Sequence, residues 1–200
     1  MKKIFLSLFL FSGLFLMAQK EIKTLEIGSS MPMPDYKMKD VSGKEYSLND
    51  LKKPGGIVVI FSSNQCPFVL AWEKYYNRIY AAAESAGMGM VLVNSNEALR
   101  DDEDSYDNMK IKAREQGYKA PYVVDKNHQL ADAFGAKTTP HVFIFDSNGK
   151  LVYQGAINDN YQGEAKNEWV LLALRSLATG APIEVQTTPA KGCSIKRLKK

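Results

Sequence analysis

The run Ile57-Val58-Val59-Ile60-Phe61 constrains the fold more than any other stretch of the chain. Apolar residues follow one another without a polar one on either face, which describes a strand buried on both sides. Such strands lie at the centre of sheets covered by helices. Met90-Val91-Leu92-Val93-Asn94 repeats the pattern. Between the two runs, Val69, Trp72, Tyr76, Ile79 and Ala83 recur at helical spacing, and Gly87 closes the segment. Strand, helix and strand in that order call for a right-handed crossover and a parallel pair.

The flanking segments extend this α/β scheme. "MPMPDYKMKDVSGKEYSLND" reads as an extended segment and a hairpin turning at Ser42-Gly43, and Pro54-Gly55-Gly56 breaks a short turn at Leu51 to Lys53. "LRDDEDSYDNMKIKAREQG" starts acidic, becomes basic and ends at Gly117, a charge order that suits a helix dipole. Within it Asp101 to Asp104 reads as a solvated loop. "PYVVD" is expected as a strand, "HQLADAFGA" as a short helix, and "HVFIFDSNGKLVYQGAI" as a hairpin turning at Ser147-Asn148-Gly149. "NEWVLLALRSLATG" is an amphipathic helix ending at Gly180. The expected architecture is a mixed central sheet flanked by helices on both faces, with an N-terminal β-hairpin and a C-terminal extended tail.

Residues 1–18 stand apart. Lys2-Lys3 precedes an almost wholly apolar stretch from Ile4 to Met17, and Ala18 precedes the polar run "QKEIK". That pattern is a secretory signal peptide cut after Ala18; the alternative is a membrane anchor, for which the stretch is short. No cysteine stands at the cut to carry a lipid, and no other segment is apolar and long enough to span a membrane. The domain is expected over 19–182, with a basic tail over 183–200. At 200 residues and 45% hydrophobic content, one domain with its own core is the natural reading.

The net charge of +4 belongs to the two ends. Removing Lys2 and Lys3 leaves +2, and setting aside the five basic residues of 191–200 leaves a body of −3. A mildly acidic body excludes a nucleic-acid binder. The basic end is either a solubilising terminus or a contact for an anionic surface.

Export implies an oxidising compartment, yet only two cysteines exist, Cys66 and Cys193, so the domain is not a disulfide-built scaffold. Pro67 follows Cys66, and proline is favoured at the first helical position. Cys66 is therefore expected near a helix N-cap, at the C-terminal end of a central strand, where open α/β sheets place their sites. Unpaired N–H groups and the helix dipole there favour the thiolate. Ser63 and Asn64 can add hydrogen bonds at the same turn. The bland alternative is a small buried residue at a strand–helix junction. In "KTTPHVFIF", Pro140 marks a strand start.

Together these stretches, with "IVVIFSSNQCPFV", "VLVNSNE", "EDSYDNMK" and the terminal "GCSIK", resemble the thioredoxin-like superfamily in its redoxin or peroxiredoxin-like (AhpC/TSA-related) branch. The resemblance runs from about Gly28 onward. It implies a cis proline at Pro140, opposite the cysteine turn, with Thr139 offering backbone groups to a bound chain. Asn64 and Pro67 would help position substrate, and no cofactor is implied.

The similar subgroup carries C-N-H-C-P-Y-V where this chain reads S-N-Q-C-P-F-V, so Ser63 replaces the first cysteine and Gln65 the histidine. A two-thiol cycle cannot run inside this motif. Peroxiredoxins carry Thr-x-x-Cys-Pro, for which Ser63 to Pro67 is an analogue, together with a proline at the position of Val59 and a nearby arginine. Here Arg78 and Arg114 fall within helices, and Arg100 in the acidic loop.

Cys193 either resolves an oxidised Cys66, pairs between molecules, or does neither. Three functions compete. The first is an exported thiol oxidoreductase or peroxiredoxin-like antioxidant protein acting through Cys66 and Ser63. Its partners would be peroxide or protein thiol and disulfide substrates, with an external thiol reductant. The second is a binding module that holds extended polypeptides between Cys66 and Pro140 without turnover. The third is a metal carrier using His128, His141 and Cys66, which lack metal-site spacing. The segment "NSNE" (94–97) is expected beside the site, at the end of a strand.

Overall fold

The computed structural model describes residues 22–198, so the expected leader lies outside the described residues. The first half contains β1 (Met38–Asp40), β2 (Glu45–Tyr46), α1 (Leu48–Leu51), β3 (Gly56–Ser62), α2 (Pro67–Trp72), α3 (Tyr76–Ser85) and β4 (Met88–Asn94). Then follow α4 (Tyr106–Glu115), β5 (Tyr122–Val124), α5 (Gln129–Phe134), β6 (Thr138–Thr139) and β7 (His141–Phe145). The chain closes with β8 (Leu151–Gly155), α6 (Trp169–Thr179) and β9 (Cys193–Ser194).

Seven strands form one sheet in the order β2-β1-β5-β4-β3-β7-β8. β3 lies between β4, parallel, and β7, antiparallel, with Ile60 opposite both Leu92 and Val142. Every residue of β3 is buried, as its unbroken apolar run requires. Alternation along the strand divides two cores. Val58 and Ile60 face Val69, Trp72, Tyr76, Ile79 and Leu174, beneath α2, α3 and α6. Ile57, Val59 and Phe61 face Leu48, Phe134, Phe143 and Phe145, beneath α1 and α5. The expected layers are therefore present.

Local signals place most boundaries. Gly43 turns the β1–β2 hairpin with φ 87°, in the left-handed region. Ser47 caps α1 in a reciprocal pair with Asp50. Ser105 caps α4 by accepting from the Asn108 N–H.

Three expectations change. The helix from Pro67 is not continuous: a 3-10 turn at Glu73–Tyr75 separates α2 from α3. The break follows Trp72, whose indole N–H donates to Asn158 Oδ1 at 2.7 Å, and the tightened turn keeps Trp72 and Tyr76 both buried. The acidic stretch 101–104 is not all solvated, because Asp104 is 1% exposed.

The tail, expected without a fixed path, is docked. Thr188 is buried against β8, with its Oγ1 accepting from Ala156 N at 2.9 Å, and β9 pairs antiparallel with β6. Main-chain pairing holds most of it, and pairing leaves no apolar period to read. Among the described residues no helix is long and apolar enough to cross a membrane.

Phe134 anchors the lower core, with its ring 5.4 Å from Phe61, 5.2 Å from Phe143 and 5.5 Å from Phe145, all edge-on. Phe134→Ala is expected to cost about 3–5 kcal/mol in chemical denaturation. A loss below about 1 kcal/mol would show that this core collapses around the cavity.

Candidate active site around Cys66

β3 ends at Ser62, and the turn Ser63-Asn64-Gln65 delivers Cys66 to the N-cap of α2, with Pro67 in the first turn. Cys66 is 6% exposed and Ser63 1%. The Ser63 hydroxyl accepts from the Cys66 N–H at 3.2 Å and from the Thr139 hydroxyl at 3.5 Å. Ser63 thus ties the cysteine turn to the strand across from it. Thr139 is fully buried, its peptide bond to Pro140 is cis, and its carbonyl accepts from the Cys66 thiol at 3.0 Å.

The second sulfur comes from the far end of the chain. In the β6–β9 ladder Thr139 stands opposite Cys193, which brings Cys193 Sγ to 2.7 Å from Cys66 Sγ, both thiols being free. Burial pushes the Cys193 thiol up to about 11, helped by its hydrogen bond to Cys66 and by the charge on that group. Lys196 and the Phe68 main-chain N–H act in the opposite sense. At neutral pH Cys193 is therefore protonated.

Three hydrogen bonds hold Asn64. Its N–H donates to Asp104 Oδ1 at 2.7 Å, its amide donates to Glu103 O at 2.9 Å, and its Oδ1 accepts from Tyr122 at 3.0 Å. The segment 94–97 lies beside the site as expected. Asn94 donates to Asp104 Oδ1 at 2.6 Å and Asn96 to Asp104 Oδ2 at 2.7 Å. Sequence reasoning missed Asp104, because inside an acidic run nothing distinguishes one buried carboxylate from its solvated neighbours.

Arg100 is turned away from the sulfurs: its guanidinium donates to Asn94 O at 2.9 Å and Asp104 O at 2.6 Å. The two histidines are not brought to Cys66. His128 Nδ1 meets Asp132 at 3.0 Å, and His141 Nε2 meets Gln154 Oε1 at 3.0 Å. Among the described residues no three His, Cys, Asp or Glu side chains are grouped to hold a metal ion.

The AhpC/TSA family profile matches residues 30–154. A thiol-disulfide oxidoreductase ResA from Geobacillus thermodenitrificans is 27% identical over 131 residues, covering 66% of this chain and 70% of its own. An uncharacterized conserved protein from Geobacillus kaustophilus superposes with a TM-score of 0.81 at 33% identity, covering 88% of this chain and 94% of its own. Peroxidoxin BcpB from Mycobacterium tuberculosis shares the fold at a TM-score of 0.61 and 16% identity, over 76% of this chain and 97% of its own.

Two predictions follow from these contacts. Asp104→Ala leaves the donors of Asn64, Asn94 and Asn96 without their acceptor, so a loss of about 2–4 kcal/mol and faster alkylation of Cys66 are expected. Unchanged alkylation would mean that the turn holds its shape without the carboxylate. Burial lowers His141 to about 4, so the folded state favours the neutral ring. That contribution is complete above the unfolded value near 6.5 and is lost as pH falls toward 4. Between pH 7 and 5 the loss is about 2 kcal/mol, and His141→Gln should flatten this part of the urea-denaturation profile.

Proposed function

The chain belongs to the AhpC/TSA family, and on that premise we propose that it is a thiol-dependent oxidoreductase whose redox couple is Cys66 and Cys193. The observation that carries this reading is the 2.7 Å approach of the two sulfurs beside the Thr139 carbonyl. With a peroxide, the Cys66 thiolate attacks one oxygen, the O–O bond breaks, and an alcohol or water leaves, giving a sulfenic acid. Cys193 then attacks that sulfur, and its proton and the hydroxyl depart as water as the disulfide forms. With a disulfide substrate, Cys66 forms a mixed disulfide and Cys193 displaces the remaining thiol. In either case an external thiol reductant returns both cysteines.

The disulfide route has the firmer support. The guanidinium of Arg100 is committed to Asn94 and Asp104, and Val59 stands within β3 with both faces covered. Ser63 holds the turn and the Thr139 strand in register, Pro67 sets the start of α2, and Thr139 with Pro140 forms the opposite wall. Burial raises the Cys193 thiol, and the hydrogen bond to Cys66 adds to it.

We read residues 1–18 as a secretory leader, the domain as 19–182 and the tail as 183–200. The redox work would then take place outside the cytoplasm, where disulfides persist.

Stoichiometric peroxide or oxidised glutathione, followed by intact-mass and peptide analysis, tests the reading. A single Cys66–Cys193 disulfide is expected, while Cys193→Ser should accumulate oxygen or glutathione on Cys66, and Cys66→Ser should do neither. A Cys66 that stays unmodified while ordinary thiols react would overturn it. On protein isolated from its natural host, the same mass gives the start of the chain, Gln19 on this reading.

A further inference from the structure

Residues 192–197 lie as a strand beside the Cys66 thiol, and each contact that holds them is one a separate polypeptide could make. Before the cysteine the groove accepts only glycine, because a Cβ on Gly192 would stand 2.2 Å from Thr139 O. Cys193 is opposite Thr139, with its sulfur on Cys66. Ser194 is opposite Thr138 and points to solvent. Ile195 is 5% exposed, packs into the lower core, and donates its N–H to Lys137 O at 3.0 Å.

Lys196 is read through its backbone alone: its N–H donates to Asn96 Oδ1 at 2.8 Å, and its carbonyl accepts from Ala98 N at 2.9 Å. Arg197 closes the row, with Nε on Asp132 Oδ1 and a terminal nitrogen on Ala136 O, both at 2.7 Å.

The segment leading to this strand is held at one place, where Gln186 O accepts from Gln154 N at 2.9 Å and Thr188 N donates to Gln154 O at 3.0 Å. Of residues 183–191 only Thr188 is buried, while 184–187, 189 and 191 are exposed. Releasing 192–197 therefore costs the groove contacts and the Ile195 pocket, and leaves the seven-stranded sheet and its Thr188 anchor in place.

We propose that residues 192–197 are a displaceable occupant of a specific site for extended polypeptides of pattern Gly-Cys-x-Ile-x-Arg. The walls of that site are Thr138 and Thr139, Asn96, Lys137 and Asp132. The tethered tail competes at high effective concentration, so a partner chain enters when the tail is loosened. A Cys66–Cys193 disulfide pins the strand, which confines exchange to the reduced protein. The site selects which cysteine of a partner reaches Cys66, and only these last two consequences rest on the oxidoreductase reading.

The test uses the full, reduced protein and a fluorescent peptide spanning residues 190–198 that carries the Cys193→Ser change, so that no thiol chemistry contributes. Arg197→Ala and, separately, Gly192→Val in the protein loosen its own tail and leave the groove walls and both cysteines intact. Charge-assisted bonds of the Arg197 type correspond to about a tenfold change in affinity or more. Anisotropy should therefore show the peptide binding at least about tenfold tighter to either variant than to the unaltered protein. Adding Asp132→Ala to the protein, or Gly192→Val to the peptide, should abolish the gain. Equally weak binding to all these proteins, or undiminished binding of the valine peptide, overturns the site. Peptide binding with an unreactive Cys66 leaves the site standing and removes the redox function alone.

Discussion

The buried carboxylate of Asp104 is the point from which the site hangs. It draws together the turn before Cys66 through Asn64 and the end of β4 through Asn94 and Asn96. A buried charge is costly unless its lone pairs are taken up, and here donors from two chain segments take them up. Arg100 lies alongside, bonded to the Asp104 and Asn94 carbonyls. Asn96 then turns its own oxygen to Lys196, so the group that positions Cys66 also helps to position the tail carrying Cys193. Cysteine turn, strand end and tail are consequently not independent features. They share one electrostatic centre.

Within that frame the serine at position 63 takes on a physical meaning. The hydroxyl keeps the hydrogen-bonding part of the position by accepting from the Cys66 N–H and from Thr139. The second sulfur is supplied instead by a strand that arrives 127 residues later and pairs with the residues preceding Pro140. Burial, with the hydrogen bond to Cys66, keeps Cys193 protonated.

The legible parts of the fold were those decided by neighbours in sequence. β3 and β4 are unbroken apolar runs, the turns at Ser42-Gly43 and Ser147-Asn148-Gly149 carry their own conformational preference, and Pro67 marks the start of α2. The break after Trp72 was not legible, because it accompanies a hydrogen bond to Asn158, 86 residues away. Asp104 was misread for a similar reason: its partners Asn64 and Asn94 come from other elements, and a run of acids gives no hint of which one turns inward. His141 could be seen as a possible ligand, whereas its burial against Phe143 and its bond to Gln154 follow only from the packing of β7 on β8.

By itself, the sequence determined the α/β layering, the central place of Ile57 to Phe61 and the location of Cys66 at a strand–helix junction. Periodicity, proline and glycine act within a few residues and need no partner. Tertiary structure alone decided that Cys193 meets Cys66. The tail is held mainly by backbone pairing with Thr138 and Thr139 and by clasps at Asn96 and Asp132, and backbone hydrogen bonds leave almost no side-chain signature from which a path could be read.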